Sequence, residues 1–292
     1  MIRISIITAV SLILLYNLYL ILIFDDKIEI YAQNISQDNL IKVQEYLFAE
    51  KQPEIVIVGS SLAAKLDMNQ LKGFFNLAFR GRSIYDGFNI IMDRKGKPNI
   101  VLVEYNAILK PPSLSIFNDD IFGKIDRVIK SNIPSQRAKY QPVNLVISMA
   151  YMYISESKRH NDNHSIESDS DKSSLIEEDK IRVNENALVM EEEIPDDSVF
   201  KSSFTLLKDY VEHLKKQDIQ IIFFEMPVNE AICDSEAHRK IRSMVKENFP
   251  SDEFFYIKPD ECSKYTTKDR IHLTEESAIR FTRYLKAQIP AF

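Results

Sequence analysis

Glycine is scarce in this 292-residue chain, with six in all. No Gly-x-Gly-x-x-Gly occurs, so a dinucleotide-binding turn is set aside. Cysteine is rarer still: Cys233 and Cys262 either form one disulfide in an oxidising compartment or stay unpaired. Each follows one of the last two expected strands, which brings both toward the same edge of a sheet. Only five histidines are present. His160 and His164 stand near carboxylates but lack the tight ligand spacing of a zinc site, so no metal is expected. His213 and His238 fall on expected helices with no evident partner. Positive charge is not in excess either: the net charge of −6 gives no support for nucleic-acid binding. No internal repeat is found.

What is present reads as a globular protein. The chain is 45% apolar and 27% charged, ordinary values that argue against disorder of the whole. The acid is unevenly placed, because Ser155–Asp197 carries 14 Asp/Glu against 5 Lys/Arg. The remainder is therefore slightly positive. That segment also lacks aromatics and cannot bury enough apolar surface to offset its chain entropy, which reads as a mobile loop or lid.

The N-terminus sets the expected compartment. Ile4–Phe24 holds no charge; as a helix it would span about 31 Å, the thickness of a bilayer's hydrocarbon core. Arg3 before it and Asp25 and Asp26 after it favour a cytoplasmic N-terminus and an outward-facing body. A cleaved signal peptide is the competing reading, but the run is long and no small-x-small cleavage site follows it.

Beyond the anchor, apolar strands alternate with amphipathic helices, the pattern of a parallel three-layer α/β fold. Strands are expected at 55–58, 74–78, 99–105, 219–225 and 254–257. Helices are expected from near Ser61 and at 84–94, 200–217, 236–248 and 275–288. Short strands without alternation suit a sheet covered on both faces. The organisation expected is an anchor (1–26), a largely helical connector (27–52), the first part of the domain (53–110), an insertion (111–198) and the second part (199–292). The insertion reads as helical over 119–152 and then as the acidic loop.

Two distant fragments carry the chemistry. Ile55-Val56-Ile57-Val58-Gly59-Ser60-Ser61-Leu62 ends a buried strand on a serine, at the sheet edge where α/β proteins place their sites. A helix starting at Ser61 would offer N–H groups to an oxyanion, although Ser60 or Ser61 could equally be a plain helix cap. Asp269-Arg270-Ile271-His272-Leu273 supplies a base, His272, and a carboxylate three residues earlier to fix its tautomer. The bland alternative is a surface turn capped by Thr274. Gly81, after the second strand, permits close backbone approach, and Asn106, after the third, carries a side-chain amide.

The order Ser, Gly, Asn, Asp-x-x-His at successive strand ends resembles the SGNH, or GDSL, hydrolase superfamily. Gly59-Ser60-Ser61-Leu62 is similar to the family's Gly-Asp-Ser-Leu block, with Ser60 in place of the aspartate. Asn76-Leu77-Ala78-Phe79-Arg80-Gly81 is similar to Asn-Leu-Gly-x-x-Gly, and Asn106 matches the asparagine of Gly-x-Asn-Asp. Glu104 stands where that block has glycine and Ala107 where it has aspartate. The resemblance covers 54–106 and 219–289. It implies a flavodoxin-like sandwich and ester chemistry without metal or cofactor. Ser61 would be the nucleophile, His272 and Asp269 its partners, and Ser61, Gly81 and Asn106 the oxyanion donors. Gly-Ser-Ser behind an anchor is similar to envelope members of teichoic-acid D-alanylation and alginate O-acetylation, some of which pass an acyl group to a glycan. The expectation is thus a single-pass envelope esterase or O-acyltransferase acting on an acylated polysaccharide, with a membrane-bound acyltransferase as candidate partner. A non-catalytic scaffold for such a partner is the alternative, and a soluble-substrate lipase or thioesterase a weaker one.

Overall fold

Unbroken apolar runs assemble as one parallel sheet in the computed structural model, which describes residues 2–22, 34–113, 123–161 and 195–290. The strands are β1 (Ile55–Val58), β2 (Phe74–Asn76), β3 (Ile100–Glu104), β4 (Gln220–Phe224) and β5 (Phe255–Tyr256). Their order is β2-β1-β3-β4-β5, all parallel, with Ile57 opposite Leu102 and Leu102 opposite Ile222. This is the doubly wound order that places a topological switch at the carboxyl ends of β1 and β3. Each expected strand is present, β1 at its expected bounds and the other four slightly shorter than their apolar runs.

Both faces of the sheet are covered. On one, Ile57, Leu102, Ile222 and Phe224 join Phe281 and Leu285 of the closing helix in a single apolar cluster. On the other lies the helix Ile84–Asp93. It begins with a capping box in which the Ser83 side chain accepts from the helix and Asp86 accepts from the Ser83 N–H. That helix approaches closely: a Cβ on Gly87 would lie 2.9 Å from the Leu77 carbonyl oxygen and 3.0 Å from Val58. Only glycine fits there.

Counted in chain order, the helices are α1 (Ile2–Leu22), α2 (Ile35–Phe48), α3 (Ile84–Asp93), α4 (Lys124–Asn132), α5 (Pro142–Asn161), α6 (Asp197–Lys215), α7 (Glu230–Cys233), α8 (Glu236–Asn248) and α9 (Glu275–Gln288). The chain divides into two compact units. The sheet unit holds 49–113 and 195–290 of the described residues; the second holds 2–22, 34–48 and 123–161. In that second unit α1 is a single apolar helix long enough to cross a membrane. The connector read at 27–52 contains α2, with 49–52 outside any helix. The helical part of the insertion is α4 and α5, separated by the 3-10 turns Pro134–Gln136 and Ala138–Tyr140. Residues 162–194, which hold most of the expected acidic loop together with His164, lie outside the described residues.

One expected helix is absent. No α-helix starts at Ser61; the chain makes only a 3-10 turn at Ala63–Lys65. The Asp67 N–H, which would continue a helix by bonding back to the Ala63 carbonyl, donates instead to Thr282 Oγ1 of α9 at 3.0 Å. Asp67 Oδ1 then accepts from the Asn69 N–H, and this local turn ends the segment.

Beyond the carboxyl end of β4, polar groups are knit together under α8. Arg242 donates Nε and Nη2 to the buried Glu225 carboxylate, each at 2.8 Å, and Nη2 also reaches the Cys233 carbonyl at 2.7 Å. Tyr105 donates to the same carboxylate at 3.0 Å. Cys233, at the end of α7, is disulfide-bonded to Cys262, their Cα atoms 6.4 Å apart. The pairing left open by the sequence is thus made. Arg242→Leu leaves the Glu225 charge buried without its ion partner. A loss of about 3 kcal/mol is expected, typical of breaking a buried pair from one side. Denaturant unfolding followed by near-UV circular dichroism checks this, and an unchanged midpoint would contradict it.

Candidate active site

The Asp-x-x-His fragment folds as a closed loop before α9. Thr267 bridges to Leu273, and the Lys268 N–H donates to the His272 carbonyl at 2.8 Å. Arg270 takes a left-handed φ of 70°, which turns the chain back upon itself. Asp269 can then accept from the His272 N–H through Oδ1 at 2.7 Å and from His272 Nδ1 through Oδ2 at 2.6 Å. Burial pushes the Asp269 carboxyl up, but the bonds from the His272 ring and from the His272 and Ile271 N–H groups outweigh it, leaving the group below its ordinary range. Asp269 is therefore a carboxylate that fixes Nδ1 as donor. Nε2, on the other side of the ring, lies 2.8 Å from Ser61 Oγ, 211 positions away in sequence. The geometry links Ser61, His272 and Asp269 in one line of hydrogen bonds. Thr274 caps α9, as its position suggests.

Ser61 sits on a turn whose other amides are engaged. The Ser60 N–H donates to Glu104 Oε2 at 2.7 Å, the Ala63 N–H to the same oxygen at 3.3 Å, and the Leu62 N–H to Ser60 Oγ at 3.2 Å. The Ser61 N–H has no acceptor among the described residues. The turn thus presents a hydroxyl and one uncommitted donor side by side. Because no helix follows, the helix-end charge expected at this serine is not there to help. The oxyanion case rests on individual N–H groups.

Glu104 was legible only as a departure from a motif. Its side chain, at the carboxyl end of β3, is fully buried and takes two backbone N–H groups and the Ser60 hydroxyl. Burial pushes its carboxyl up to about 7, against those bonds and the nearby His272. Gly59 is its steric counterpart: a Cβ there would lie 2.6 Å from Ala63 Cβ and 2.7 Å from Glu104 Oε2. A sequence signal existed, since a lone acid closes an otherwise apolar strand one residue beyond Val103. Its meaning depended on knowing that β1 and β3 are neighbours.

Gly81 has a φ of 72°, and its carbonyl accepts from Lys110 Nζ at 3.0 Å; its own N–H has no acceptor among the described residues. Asn76 donates to the Ala63 carbonyl at 2.9 Å and accepts from the Ala78 N–H, tying the loop after β2 to the serine turn. Asn106 does something the sequence did not suggest. Its amide pairs with both backbone groups of Met226, donating to the carbonyl at 2.9 Å and accepting from the N–H at 2.7 Å. That fixes the amide plane across the ends of β3 and β4 and commits one of its two Nδ2 hydrogens. His238 finds a partner in the α8 cap, Ser235, at 2.8 Å. Among the described residues no group of three His, Cys, Asp or Glu side chains is arranged to hold a metal ion.

No family model and no curated protein matches the chain. Among solved structures it is similar to the crystal structure of a "putative acylhydrolase" from Bacteroides fragilis NCTC 9343. The likeness covers 89% of this chain and 97% of that one, with 11% sequence identity and a TM-score of 0.40. At that level it carries no functional argument, and the site is read from its own geometry.

The Glu104 carboxyl gives a pH signature. Its pKa is raised from 4.5 to about 7 on folding, so its contribution favours the folded state below the lower value and is lost as pH rises toward the upper one. The stability of wild type relative to Glu104→Gln should fall across that window, with a slope approaching about 1.4 kcal/mol per pH unit. Unfolding free energies of both proteins at several pH values measure it. A pH-independent difference would mean an ordinary carboxyl.

Proposed function

We propose that this chain is a serine-dependent acyl-ester hydrolase or O-acyltransferase of the SGNH type, acting through an acyl-serine. The observation that carries the reading is the Ser61 Oγ–His272 Nε2 contact of 2.8 Å, continued by the 2.6 Å contact from Nδ1 to Asp269. Each partner holds the atom the chemistry requires. Ser61 Oγ attacks the acyl carbonyl carbon while its proton passes to His272 Nε2. The resulting imidazolium is stabilised by Asp269, and its proton goes to the departing alcohol oxygen as the ester bond breaks. In the second half, water or a sugar hydroxyl gives its proton to His272 and attacks the acyl-serine; Ser61 recovers a proton as the new bond forms.

The carbonyl oxygen gains negative charge twice in this cycle. The Ser61 and Gly81 N–H groups serve as its donors, with the second Nδ2 hydrogen of Asn106 as a third. Donors already held in place cost no reorganisation as charge develops, and the Met226 clamp on Asn106 supplies such a hold.

The substrate assigned is an acylated polysaccharide of the cell envelope. The support is the likeness of Gly59-Ser60-Ser61 and the apolar N-terminal helix to envelope members of that superfamily. In this reading α1 is a single-pass anchor, with its N-terminus cytoplasmic and the sheet unit outside. Tethering suits a polymeric or membrane-delivered acyl donor better than a freely diffusing one. A disulfide is also at home in an oxidising compartment.

Covalent labelling of the full chain by a fluorophosphonate, with p-nitrophenyl acetate turnover beside it, tests the chemistry. Wild type should label and turn over. Ser61→Ala should not label, and both His272→Ala and Asp269→Asn should lose turnover by about 10³-fold or more, as triad members do. A folded wild type that neither labels nor turns over would sink the independent-enzyme reading in favour of the scaffold.

A further inference from the structure

Helix α5 is built inside out. Its side toward the protein carries Asn144 and Ser148, buried at 2% and 0% exposure beside Leu145. Asn144 Nδ2 donates to the Ala138 carbonyl at 2.8 Å, and Ser148 Oγ to the Asn144 carbonyl at 2.7 Å. Its outer side carries Val143 and Val146, at 64% and 67% exposure, and Tyr153 and Ile154, at 77% and 52%. With Met149, also exposed at 42%, Val143, Val146 and Tyr153 recur at three- and four-residue spacing along one face, Ile154 lying beside Tyr153. A helix of a soluble unit turns the other way, with its apolar stripe inward. The neighbouring α4 continues the pattern, with Val128 exposed and Ile129 and Ile133 partly so.

The same segment is fastened to α1 at a defined depth. Asn17 Nδ2 donates to Ser135 Oγ at 2.9 Å and Asn17 Oδ1 accepts from the Ser135 N–H at 3.1 Å. Tyr16 donates to the Tyr140 carbonyl at 2.5 Å. Asn17 lies five residues before the end of α1 at Leu22, about 8 Å along the helix axis. If α1 spans a bilayer, Ser135 and its neighbours sit below the level of that end. An interfacial helix is buried by about 5–10 Å, the same depth. Val143–Ile154 is only about 18 Å long as a helix, too short for a core of about 30 Å. Residues 124–140 carry five Lys and Arg against one Asp, the charge that suits anionic headgroups.

We propose that α4 and α5 lie within the outer interface of the lipid bilayer, their exposed apolar faces against the acyl chains. The proposal rests on the reading of α1 as an anchor. The partner is lipid, and the bilayer is then held by a broad footprint instead of one helix.

The chain has no tryptophan, so one introduced indole reports alone. Three full-length variants would be reconstituted in vesicles of phosphatidylcholine and phosphatidylglycerol, with or without bromine on the acyl chains. Leu12→Trp reads the anchor, Tyr153→Trp reads α5, and Phe255→Trp reads an exposed residue of β5. Val146→Trp replaces Tyr153→Trp should that variant misfold. The expected result is that Leu12→Trp and Tyr153→Trp both lose most of their emission to brominated lipid, while Phe255→Trp keeps its own. Quenching of Leu12→Trp alone, with water-like emission from Tyr153→Trp, leaves the anchor standing and overturns the interfacial proposal. A blue-shifted but unquenched Tyr153→Trp means that protein covers the face, a second copy or a partner, and overturns it too. No quenching of Leu12→Trp removes the anchor reading, and the proposal falls with it.

Discussion

The candidate site depends on one buried carboxyl group, Glu104. Glu104 ends β3 beneath the turn that follows β1, and the adjacency of those strands puts its oxygens within reach of the Ser60 and Ala63 N–H groups. A tight strand-to-loop turn exposes several backbone donors, and buried donors without acceptors are costly. Glu104 satisfies two of them. What remains uncommitted is the Ser61 N–H, beside the hydroxyl that faces His272. Gly59 is then obligatory, because any side chain there would occupy the space of the carboxylate. Ser60 has a reason too: its hydroxyl both donates to Glu104 and accepts from the Leu62 N–H. Ser60 and Glu104, two departures from the motif, form with Gly59 one mutually dependent arrangement.

This explains why the sequence conveyed the sheet more fully than the turn. Strands such as Val56-Ile57-Val58 and Val101-Leu102-Val103 are buried on both faces, and continuous burial writes itself as continuous apolarity. Their parallel order follows from the helices between them. The helix expected at Ser61 failed for a reason outside its own residues. Leu62, Ala63, Ala64 and Lys65 are acceptable helix formers, but Thr282, more than two hundred positions later, takes the N–H that would have extended it. Asn106 follows the same logic. Its position at a strand end was legible, yet its Met226 partner lies just beyond β4, a strand that the sequence does not reveal as its neighbour.

The exposed apolar face of α5 was hidden for another reason. Hydrophobic periodicity gives the existence of a face but not its direction. Val143, Val146 and Tyr153 have the spacing of a core-facing stripe, so the segment read simply as ordered helix. Only the burial of Asn144 and Ser148, and their hydrogen bonds, shows that the polar side is the inner one. Asn17 was equally mute. An amide inside an apolar run is a liability in lipid unless paired, and its partner, Ser135, lies 118 positions away.

The triad divides its work between local and distant contacts, and the division sets what the fold must supply. Asp269 and His272 are three residues apart, and a single left-handed residue between them, Arg270, closes the loop that aligns them. That pair needs little from the rest of the chain. The contact from His272 to Ser61 joins opposite ends of the domain, and closing so long a loop carries a large entropic cost. The sheet meets that cost in forming β1 and in docking α9 on the cluster that contains Ile57, Phe281 and Leu285. α9 is therefore the element that couples folding to the site. Its buried face anchors it to the sheet, its cap Thr274 fixes where it begins, and His272 stands two positions before that cap. A shift of α9 along its axis would leave the Asp269–His272 pair intact while separating it from Ser61. Packing under α9, more than the loop itself, holds the 2.8 Å contact between His272 and Ser61.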